Sequence, residues 1–384
     1  MKGIQFLNSL SRWQDSSSSL FSPLEIPKKL LQQLKNPQDK YKTIHVAGTN
    51  GKGTTCALFA EVLKQEGFKV GLFTSPHLID VTERCRINSK SIEQEKFNQS
   101  LEKVAELVNW DSNAITYFVA TAIASFLCFK SEKVDYAVIE VGLGGLYDAT
   151  NVIKKPELTV ITNIALDHTD VLGRSIKEIA LNKAGIIKED VPLITGKLQK
   201  EAHEVLIKKP LILENYKPQK KLEEDLNLIF QTDIGKSAIN IVKTSQKILN
   251  FSNQSFSKAL ENFYWPARME LKNNLLIDAA HNLAGLKALF NEIPKIKEKH
   301  NFKNEKIFIA LKKRAGWERC LEFLKDYEIS FVDWEQGLSR EEIATVIKND
   351  FEFLDVDTKL FTEINTLYVV TGSIYYVSSL SYKE

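Results

Sequence analysis

The chain is 384 residues long, and 51 Lys and Arg stand against 49 Asp and Glu, a formal net charge of +2. Because no basic field argues for nucleic acid, we expect no nucleic-acid partner. The length favours two domains, and a hydrophobic content of 43% is typical of a globular protein with sizeable cores. The four cysteines are scattered without a C-x-x-C pair, which fits reduced thiols and gives no zinc pattern.

The first residues show no basic and apolar signal segment, so we expect a cytoplasmic protein. The longest apolar run, Ile115–Phe129, is interrupted by Thr and Ser and is too short to span a bilayer. It predicts a buried helix and no membrane partner. Residues 1–41 are predicted to form short peripheral helices, broken by Pro23, Pro27 and Pro37.

A glycine-rich stretch, Val46–Thr55, follows an apolar run and precedes Cys56–Leu63, which has helical spacing. A strand, a glycine turn and a helix form a phosphate cradle, because backbone N–H groups approach phosphate oxygens and the helix adds a positive dipole end. Val46 stands where the general phosphate-loop pattern has its first glycine, and an ordinary glycine turn is the alternative. The candidate nucleotide-contacting residues are Gly48, Thr49, Asn50, Gly51, Lys52, Gly53 and Thr54.

Two further predicted strands end in polar residues. Lys69–Phe73 continues into a turn in which Ser75 is either an ordinary turn residue or a ligand of metal or phosphate. Val134–Val141 carries Glu140 near its end, just before a cluster of glycines. A carboxylate at the end of a buried strand can hold Mg²⁺ or its waters, and the alternative is a surface-facing glutamate.

The next predicted strand, Leu158–Asn163, leads to His168, which lies between two aspartates. This histidine is a candidate ligand or base, although a lone His is more often a satisfied polar residue. The predicted helix Ile176–Ile187 carries Lys183, which residue chemistry alone predicts to be a surface lysine. The lysine-rich stretch Lys197–Lys236 is predicted to be irregular.

Helical spacing returns in Asn240–Leu260, and a proline interrupts it within Tyr264–Glu270, which indicates a domain junction. Four later strands are predicted at Leu275–Asp278, Lys306–Leu311, Ile329–Val332 and Thr366–Thr371. The fold class is therefore α/β. We predict an N-terminal P-loop-type nucleotide-binding domain with a mostly parallel sheet in 1–262, a linker in 263–274, and a smaller Rossmann-like C-terminal α/β domain in 275–384.

The ordered set of motifs resembles the Mur ligase superfamily and, within it, the folylpolyglutamate synthase/dihydrofolate synthase family. The resemblance covers nearly the whole chain from about residue 40, and Gly53 after the lysine favours the folate branch. The residues that carry it are His45–Thr54, Thr74–Leu78, Glu140–Gly145, Asp148–Asn151, Asp167–Asp170, Lys183–Ile187, Trp265–Arg268 and Asp278–Asn282.

The resemblance implies amide bond formation driven by ATP. A substrate carboxylate attacks the γ-phosphate, and the amine of glutamate then displaces phosphate from the acyl phosphate. Lys52, Lys183 and His168 would be catalytic, with two Mg²⁺ sites, and Lys183 matches a lysine that the family carbamylates. The implied metal residues are Ser75, Glu140 and His168. The implied nucleotide residues beyond the phosphate loop are Asn240, Arg268, Asp278 and His281.

The resemblance also implies a pterin site, formed by Thr116, Tyr117, Phe118 and Val119 together with Tyr147, Asp148 and Ala149. Tyr117 and Phe118 could stack on a flat ring, and core packing is the alternative. Two departures stand out. Leu146-Tyr147 replaces the usual Arg-Leu, and Leu311–Arg314 contains Lys-Lys-Arg in the place of an Asp-Lys-Asp element.

We therefore expect an ATP- and Mg²⁺-dependent monomer that joins L-glutamate to dihydropteroate and also extends reduced folates with γ-linked glutamates. Activity on reduced folates alone is an alternative. A cell-wall Mur ligase is disfavoured by the absence of a UDP-binding domain before the phosphate loop. A nucleotide-dependent switch would hydrolyse ATP without folate. A folate-binding member that has lost catalysis is disfavoured because Lys52, Glu140, His168 and Lys183 are all present.

Overall fold

The structure is a computed structural model, and it describes residues 2–11, 24–108, 115–207, 228–348, 350–355 and 361–380. The chain divides into two compact units. The first consists of Met1–Ile164, Val171–Lys220 and Ser237–Phe263, and the second of Ala165–Asp170, Lys221–Lys236 and Tyr264–Glu384. The predicted linker, 263–274, overlaps the start of the last segment. The two short segments of the second unit lie inside the range that the sequence assigned to the N-terminal domain.

Each unit contains one sheet. The strands within the described residues are β1 (Lys42–Ala47), β2 (Val70–Phe73), β3 (Cys85–Ile87), β4 (Lys90–Ser91), β5 (Tyr136–Glu140), β6 (Leu158–Ile161), β7 (Leu193–Thr195), β8 (Glu270–Lys272), β9 (Leu275–Asp278), β10 (Asn304–Ala310), β11 (Ser330–Val332), β12 (Glu352–Leu354) and β13 (Thr366–Gly372). The short hairpin of β3 and β4, and the strands β7, β8 and β12, were not predicted.

Helices connect the strands. Those within the described residues are α1 (Gly3–Ser9), α2 (Glu25–Gln33), α3 (Lys52–Gln65), α4 (Gln94–Leu107), α5 (Tyr117–Ser131), α6 (Ile176–Lys183), α7 (Lys200–Leu206), α8 (Leu228–Gln231), α9 (Asp233–Thr244), α10 (Gln246–Leu249), α11 (Asn253–Glu261), α12 (Leu283–His300), α13 (Trp317–Leu324), α14 (Arg340–Ala344) and α15 (Ile374–Leu380). Short 3₁₀ turns add to them at Pro37–Asp39, Val81–Arg84, Ala149–Val152 and Ala184–Ile186.

The sheet of the first unit has the order β4-β3-β2-β5-β1-β6-β7. The five strands from β2 to β7 in this order are parallel, and β3 and β4 run antiparallel at one edge. Strands β2, β5 and β6 are buried along their whole length, as expected for a sheet covered on both faces. The predicted α/β class and mostly parallel sheet are confirmed.

The predicted buried helix is α5, which packs in a core cluster against α1, α2 and α4. Phe6 and Leu7 of α1 are almost completely buried there, so the expectation that residues 1–41 are peripheral is wrong. Pro27 lies inside α2 rather than ending it, because the first turn of a helix needs no N–H from that residue. Pro23 lies outside the described residues.

One prediction for the middle of the chain needs correction and another is confirmed. The stretch Lys197–Lys236 is not irregular throughout, because it contains α7 and α8 and the start of α9; residues 208–227 lie outside the described part. The stretch Asn240–Leu260 is helical as predicted, and α9, α10 and α11 form it. The break after α10 is at Asn250, which adopts a left-handed conformation with φ of 53°.

The sheet of the second unit has the order β12-β11-β10-β13-β9-β8, in which only β8 is antiparallel to its neighbour. Because the other strands are parallel, their carboxyl ends meet at one edge, where open α/β sheets place ligands. The loops that follow β9, β10 and β13 begin there. No helix in the described part of the chain is long and apolar enough to cross a membrane.

Candidate active site at the strand ends

The predicted phosphate loop connects β1 to α3 in the first unit. Gly51 precedes the helix in a left-handed conformation with φ of 79°, and α3 begins at Lys52. Gly48 must be glycine, because a Cβ there would lie 1.8 Å from the Thr162 hydroxyl oxygen. The loop is therefore shaped by close backbone approach, as the glycine-rich sequence predicted.

Two residues that follow β6 hold this loop. The Thr49 N–H donates to the Asn163 carbonyl oxygen at 3.0 Å, and the Asn50 N–H donates to the Asn163 side-chain oxygen at 2.9 Å. The Thr162 hydroxyl donates to the Asn50 carbonyl oxygen at 2.7 Å. The sequence analysis assigned no role to this pair. The signal that could have revealed this role is the position of the pair at the end of a strand, which Ser75 and Glu140 share.

Two lysines converge on the Gly48 carbonyl oxygen. Lys52 Nζ donates to it at 3.2 Å and to the Thr49 carbonyl oxygen at 3.2 Å. Lys183 Nζ, at the end of α6, donates to the same Gly48 oxygen at 2.8 Å. Lys183 is 3% exposed, so the prediction of a surface lysine from residue chemistry alone is wrong. Positive charge is thus concentrated at the loop.

Ser75 and Glu140 come together at the same edge of the sheet. Strands β2 and β5 are parallel neighbours, and the Ser75 N–H donates to Glu140 Oε2 at 3.0 Å. Glu140 is 4% exposed, so it is not surface-facing. Burial, followed by the charge of Glu140, raises the pKa of the Cys56 thiol on α3. The site therefore has a buried carboxylate beside the phosphate loop.

The glycines after Glu140 allow close packing, as their clustering indicated. A Cβ at Gly142 would lie 2.4 Å from the Phe118 ring. Gly144 has φ of 67°, and a Cβ there would lie 2.3 Å from the Asn182 side-chain oxygen. The backbone approaches α5 on one side and the end of α6, next to Lys183, on the other.

The predicted pterin residues on α5 have structural contacts. The Thr116 hydroxyl accepts from the Val119 N–H and caps the helix. Tyr117 is buried, with the Arg84 guanidinium 5.2 Å from its ring centre, and Phe118 lies 5.8 Å from the Phe73 ring. These positions bring an aromatic pair and a cation into one part of the first unit. Their role toward a pterin stays a prediction.

The second predicted pterin segment contains a buried hydrogen-bonded chain. Asp148 accepts from the Leu143 N–H at 2.9 Å and from the Thr150 hydroxyl at 2.5 Å. Because that hydroxyl donates to Asp148, it accepts from Nε2 of His45, 2.8 Å away. Burial, followed by the charge of Lys188, lowers the pKa of His45 to about 3, so its ring is neutral.

Asp148 is buried, and its two neighbours in the chain differ in their exposure. Burial raises the pKa of Asp148, and its hydrogen bonds oppose that effect. Tyr147 is 47% exposed and Ala149 is buried. Of this segment, Tyr147 is therefore the side chain best placed to meet a molecule from solvent, and Leu146 beside it is 39% exposed.

Three of the predicted nucleotide residues lie together in the second unit. Asp278 ends β9 and accepts from the Met269 N–H at 2.9 Å. Burial raises the pKa of Asp278, and the Arg268 charge opposes this. His281 Nδ1 lies 2.8 Å from the Ala279 carbonyl oxygen, which can only accept, so Nδ1 carries the proton. Asn240, the fourth residue, lies on α9 in the first unit and is half-buried.

His281 is held neutral. Burial, followed by the Arg314 charge, lowers the pKa of His281 to about 3. Its Nε2 therefore has a free lone pair and can accept a hydrogen bond from a hydroxyl or amino group.

His168, the third predicted metal residue, belongs to the second unit, whereas Ser75 and Glu140 belong to the first. Its backbone has φ of 47°, and its N–H donates to Asp167 Oδ1 at 3.0 Å. Within the described residues no group of three or more His, Cys, Asp and Glu could hold a metal ion. A metal at Ser75 and Glu140 would take further oxygen ligands from phosphate and water, as Mg²⁺ usually does.

A side-chain cluster that the sequence did not predict surrounds Asp167. Its carboxylate accepts from Asn282 Nδ2 at 2.9 Å and lies 3.5 Å from the Arg314 guanidinium. Burial would raise the pKa of Asp167, but the charges of His168 and Arg314 outweigh it and hold the pKa at about 2. Sequence alone could not show this contact, because Asp167 and Arg314 are far apart in the chain.

Comparison with known proteins supports the family resemblance that the sequence motifs indicated. Residues 46–194 match the family model of the Mur ligase middle domain. The chain is 30% identical to a dihydrofolate synthase/folylpolyglutamate synthase of Bacillus subtilis (strain 168), over 92% of this chain and 93% of that protein. It is 35% identical to a folylpolyglutamate synthase of Candida albicans, over 65% of this chain and 58% of that protein.

Solved structures share the fold. A bifunctional folylpolyglutamate synthase/dihydrofolate synthase from Yersinia pestis, complexed with AMPPNP and Mn ion, superposes with a TM-score of 0.83 at 24% identity, covering 99% of this chain and 97% of that one. Escherichia coli FolC in complex with DHPP and ADP gives 0.82 at 24% identity and the same coverage. The chain therefore belongs to the folylpolyglutamate synthase/dihydrofolate synthase family of Mur ligases.

Proposed function

We propose that this chain is an ATP-dependent ligase that joins L-glutamate to 7,8-dihydropteroate, giving dihydrofolate, and that extends tetrahydrofolate with γ-linked glutamates. The observation that carries the proposal is the convergence of Lys52 and Lys183 on the Gly48 carbonyl oxygen, at the edge of the sheet where Ser75 contacts Glu140. The positive charge of Lys52 beside a buried carboxylate suits phosphoryl transfer, because that reaction needs positioning and charge stabilisation more than covalent chemistry.

The residues of the phosphate loop would act in the first half of the reaction. A carboxylate oxygen of the folate substrate attacks the γ-phosphorus, the bond to the ADP oxygen breaks, and an acyl phosphate forms. Lys52 and the loop N–H groups stabilise the charge that develops on the phosphoryl oxygens. In the second half the glutamate amine attacks the acyl carbon, phosphate leaves, and the amine proton passes to phosphate or water.

A divalent metal fits the first unit. The Ser75 hydroxyl and the Glu140 carboxylate are oxygen donors, which Mg²⁺ prefers, and they adjoin the phosphate loop. When bound, Mg²⁺ neutralises phosphate charge. We extend the proposal to ATP as nucleotide, to His168 as a further ligand, and to Asn240, Arg268, Asp278 and His281 as nucleotide contacts.

Carbamylation of Lys183 would supply a second metal site. The neutral amine adds to CO₂ and loses a proton, which turns a cation into a carboxylate-like group. The side chain is buried and faces the Gly48 oxygen, so it is shielded from bulk water. We expect Lys183→Ala to abolish ligation and acetate to restore part of it, with mass spectrometry in bicarbonate detecting the adduct on the parent protein.

Lys177→Ala is the matched control, because Lys177 is an exposed lysine on the same helix, and it should leave activity unchanged. Failure of acetate to rescue, with no adduct in the mass spectrum, would reject carbamylation and leave only a role for the ammonium group.

The substrate side of the proposal rests on the aromatic and exposed residues of the first unit, Tyr117, Phe118 and Tyr147. We propose that they and their neighbours contact the pterin.

All four cysteines are free thiols, which fits a reducing compartment such as the cytoplasm. We propose a monomer, which light scattering after gel filtration would test.

Phosphate release from ATP and Mg²⁺ tests the function directly. It should require both glutamate and 7,8-dihydropteroate, and it should also occur with glutamate and tetrahydrofolate. Activity with tetrahydrofolate alone would restrict the function to polyglutamylation. Release that is indifferent to every folate would reject the ligase and favour a nucleotide-dependent switch.

A further inference from the structure

Three segments of the second unit meet at the side chain of Asp167. They are the segment Ala165–Asp170 itself, the loop that follows β9, and the loop that follows β10. The side chain of Asp167 is only 10% exposed, and that of Arg314 is 26% exposed. Asn282, in the loop after β9, donates to Asp167 Oδ2, and Arg314, in the loop after β10, forms an ion pair with Oδ1.

Arg314 has a second contact, which distinguishes it from a simple counter-ion. The same Nη2 that faces Asp167 also donates to the carbonyl oxygen of His281. The ring of His281 is held through Nδ1 by the Ala279 carbonyl oxygen. Arg314 holds the backbone from which that ring extends, so both contacts set where the ring lies.

The next residue is also fixed within this cluster. Asn282 donates from Nδ2 to Asp167 and accepts at Oδ1 from the Gly285 N–H, which caps α12. Any displacement of Arg314 therefore acts on the short segment His281-Asn282, which also forms hydrogen bonds to Asp167, to Ala279 and to the start of α12. Ring placement of His281 depends on this segment.

The residue type at this position matters. Arg314 follows Lys312 and Lys313 in the loop after β10. A carboxylate in the place of Arg314 would be repelled by Asp167 and could not donate to a carbonyl oxygen. A guanidinium can pair with Asp167 and also donate to a carbonyl oxygen, because it presents several N–H donors in a fixed plane.

We propose that Arg314 is a positioning residue for nucleotide binding, which acts by holding the His281 carbonyl and so directing the neutral Nε2 of that ring toward ATP. The inference rests on the proposed function, in which His281 contacts the nucleotide.

Steady-state kinetics of Arg314→Gln tests the inference. The KM for ATP should rise about tenfold, with a smaller change in kcat and no change in the KM for the folate substrate. Arg314→Lys keeps a positive charge, but its shorter side chain places the nitrogen farther from the His281 carbonyl oxygen, so it should show most of the same rise. If both variants keep the parent KM for ATP, the inference is wrong.

A double variant separates positioning from charge balance. Arg314→Gln removes the guanidinium that pairs with the buried Asp167 carboxylate, and adding Asp167→Asn removes the carboxylate charge as well. We expect the double variant to recover thermal stability but to keep the raised KM for ATP. Recovery of both would show that Arg314 only neutralises Asp167, which would overturn the inference.

Lys313→Gln is the matched control. Lys313 is the neighbouring cation, it is exposed, and it forms an ion pair with Glu342, so its loss should leave the KM for ATP unchanged. An equal rise in this variant would point to general charge and reject the inference. Displacement of a fluorescent ATP analogue, without folate or glutamate, gives the same readout when turnover is absent, so failure of the ligase proposal is recognised separately.

Discussion

The phosphate-loop edge of the first unit and the Asp167 cluster of the second are built in different ways. At the first, backbone groups dominate: lysines point at carbonyl oxygens, and glycines allow the chain to approach Thr162 and Phe118. At the second, charged side chains hold one another and carry loops with them. Both regions have partners that are distant in the chain, but the glycines that shape the backbone cradle lie close together in sequence, so only the cradle leaves a readable motif.

Removal of Lys52 should have the largest effect. The loop keeps its shape in Lys52→Ala, since other residues hold it, but the charge that faces the transferring phosphoryl group is lost. We expect kcat to fall on the order of a thousandfold. Initial rates of ADP formation measure it. Lys64→Ala on the same helix removes only an ion pair with Glu61 and should stay near the parent rate, and equal losses would refute a specific role.

The prediction for Gly48 tests whether backbone approach shapes the loop. In Gly48→Ala the new Cβ meets the Thr162 hydroxyl at 1.8 Å, and φ of 151° adds strain. We expect a loss of about 2–4 kcal/mol in unfolding free energy, together with loss of ATP binding. Thermal unfolding and calorimetric titration measure the two.

Gly67→Ala separates the two causes for Gly48. Its φ is 98°, but nothing lies within 4 Å of the added Cβ, so only backbone strain applies. The loss should be about 1 kcal/mol, and ATP binding should be unchanged. If the two variants behave alike, steric contact with Thr162 is not the reason for glycine at position 48.

Sequence analysis succeeded where a motif and its partner elements were close in the chain. Residues 48–54 predicted the loop, and the parallel sheet followed from apolar runs separated by helices. It failed for Lys183, because burial depends on what packs over a side chain and not on its type. It also missed Thr162, Asn163 and Arg314, because each of them contacts residues that are distant in the chain.

Substitution of Asp167 should affect the second region by a smaller amount. Asp167→Asn keeps a hydrogen-bond acceptor for the His168 N–H but removes the charge that pairs with Arg314. Since Arg314 is partly exposed, we expect a loss of only about 1–2 kcal/mol. Thermal unfolding measures it. A null effect would mean that this cluster is held by hydrogen bonds alone, which would weaken the contrast with the phosphate loop.

The first unit also contains a series of hydrogen-bonded side chains, which begins at His45. The pKa of His45 falls from 6.5 to about 3 on folding, so the unfolded state binds more protons between these values. Its contribution to stability is therefore complete above about pH 6.5 and is lost as the pH falls toward 3. In His45→Gln, unfolding free energy should depend less on pH over this window.

Urea unfolding at pH 7 and pH 4.5 gives this comparison. His203→Gln is the control, because His203 is an exposed histidine on α7 and should leave the pH dependence as in the parent. An unchanged slope in His45→Gln would mean that His45 is not held neutral, and the hydrogen-bonded order from His45 through Thr150 to Asp148 would need to be reversed.

The smallest effect is expected at Tyr147, in the predicted pterin segment of the first unit. Its side chain is 47% exposed. In Tyr147→Ala we expect the KM for dihydropteroate to rise about threefold through loss of a stacking surface, with stability and the KM for ATP unchanged. Tyr147→Phe should keep the parent KM, since the ring supplies the contact. A change in the KM for ATP instead would place Tyr147 with the phosphate loop, and the pterin site would then rest on α5 alone.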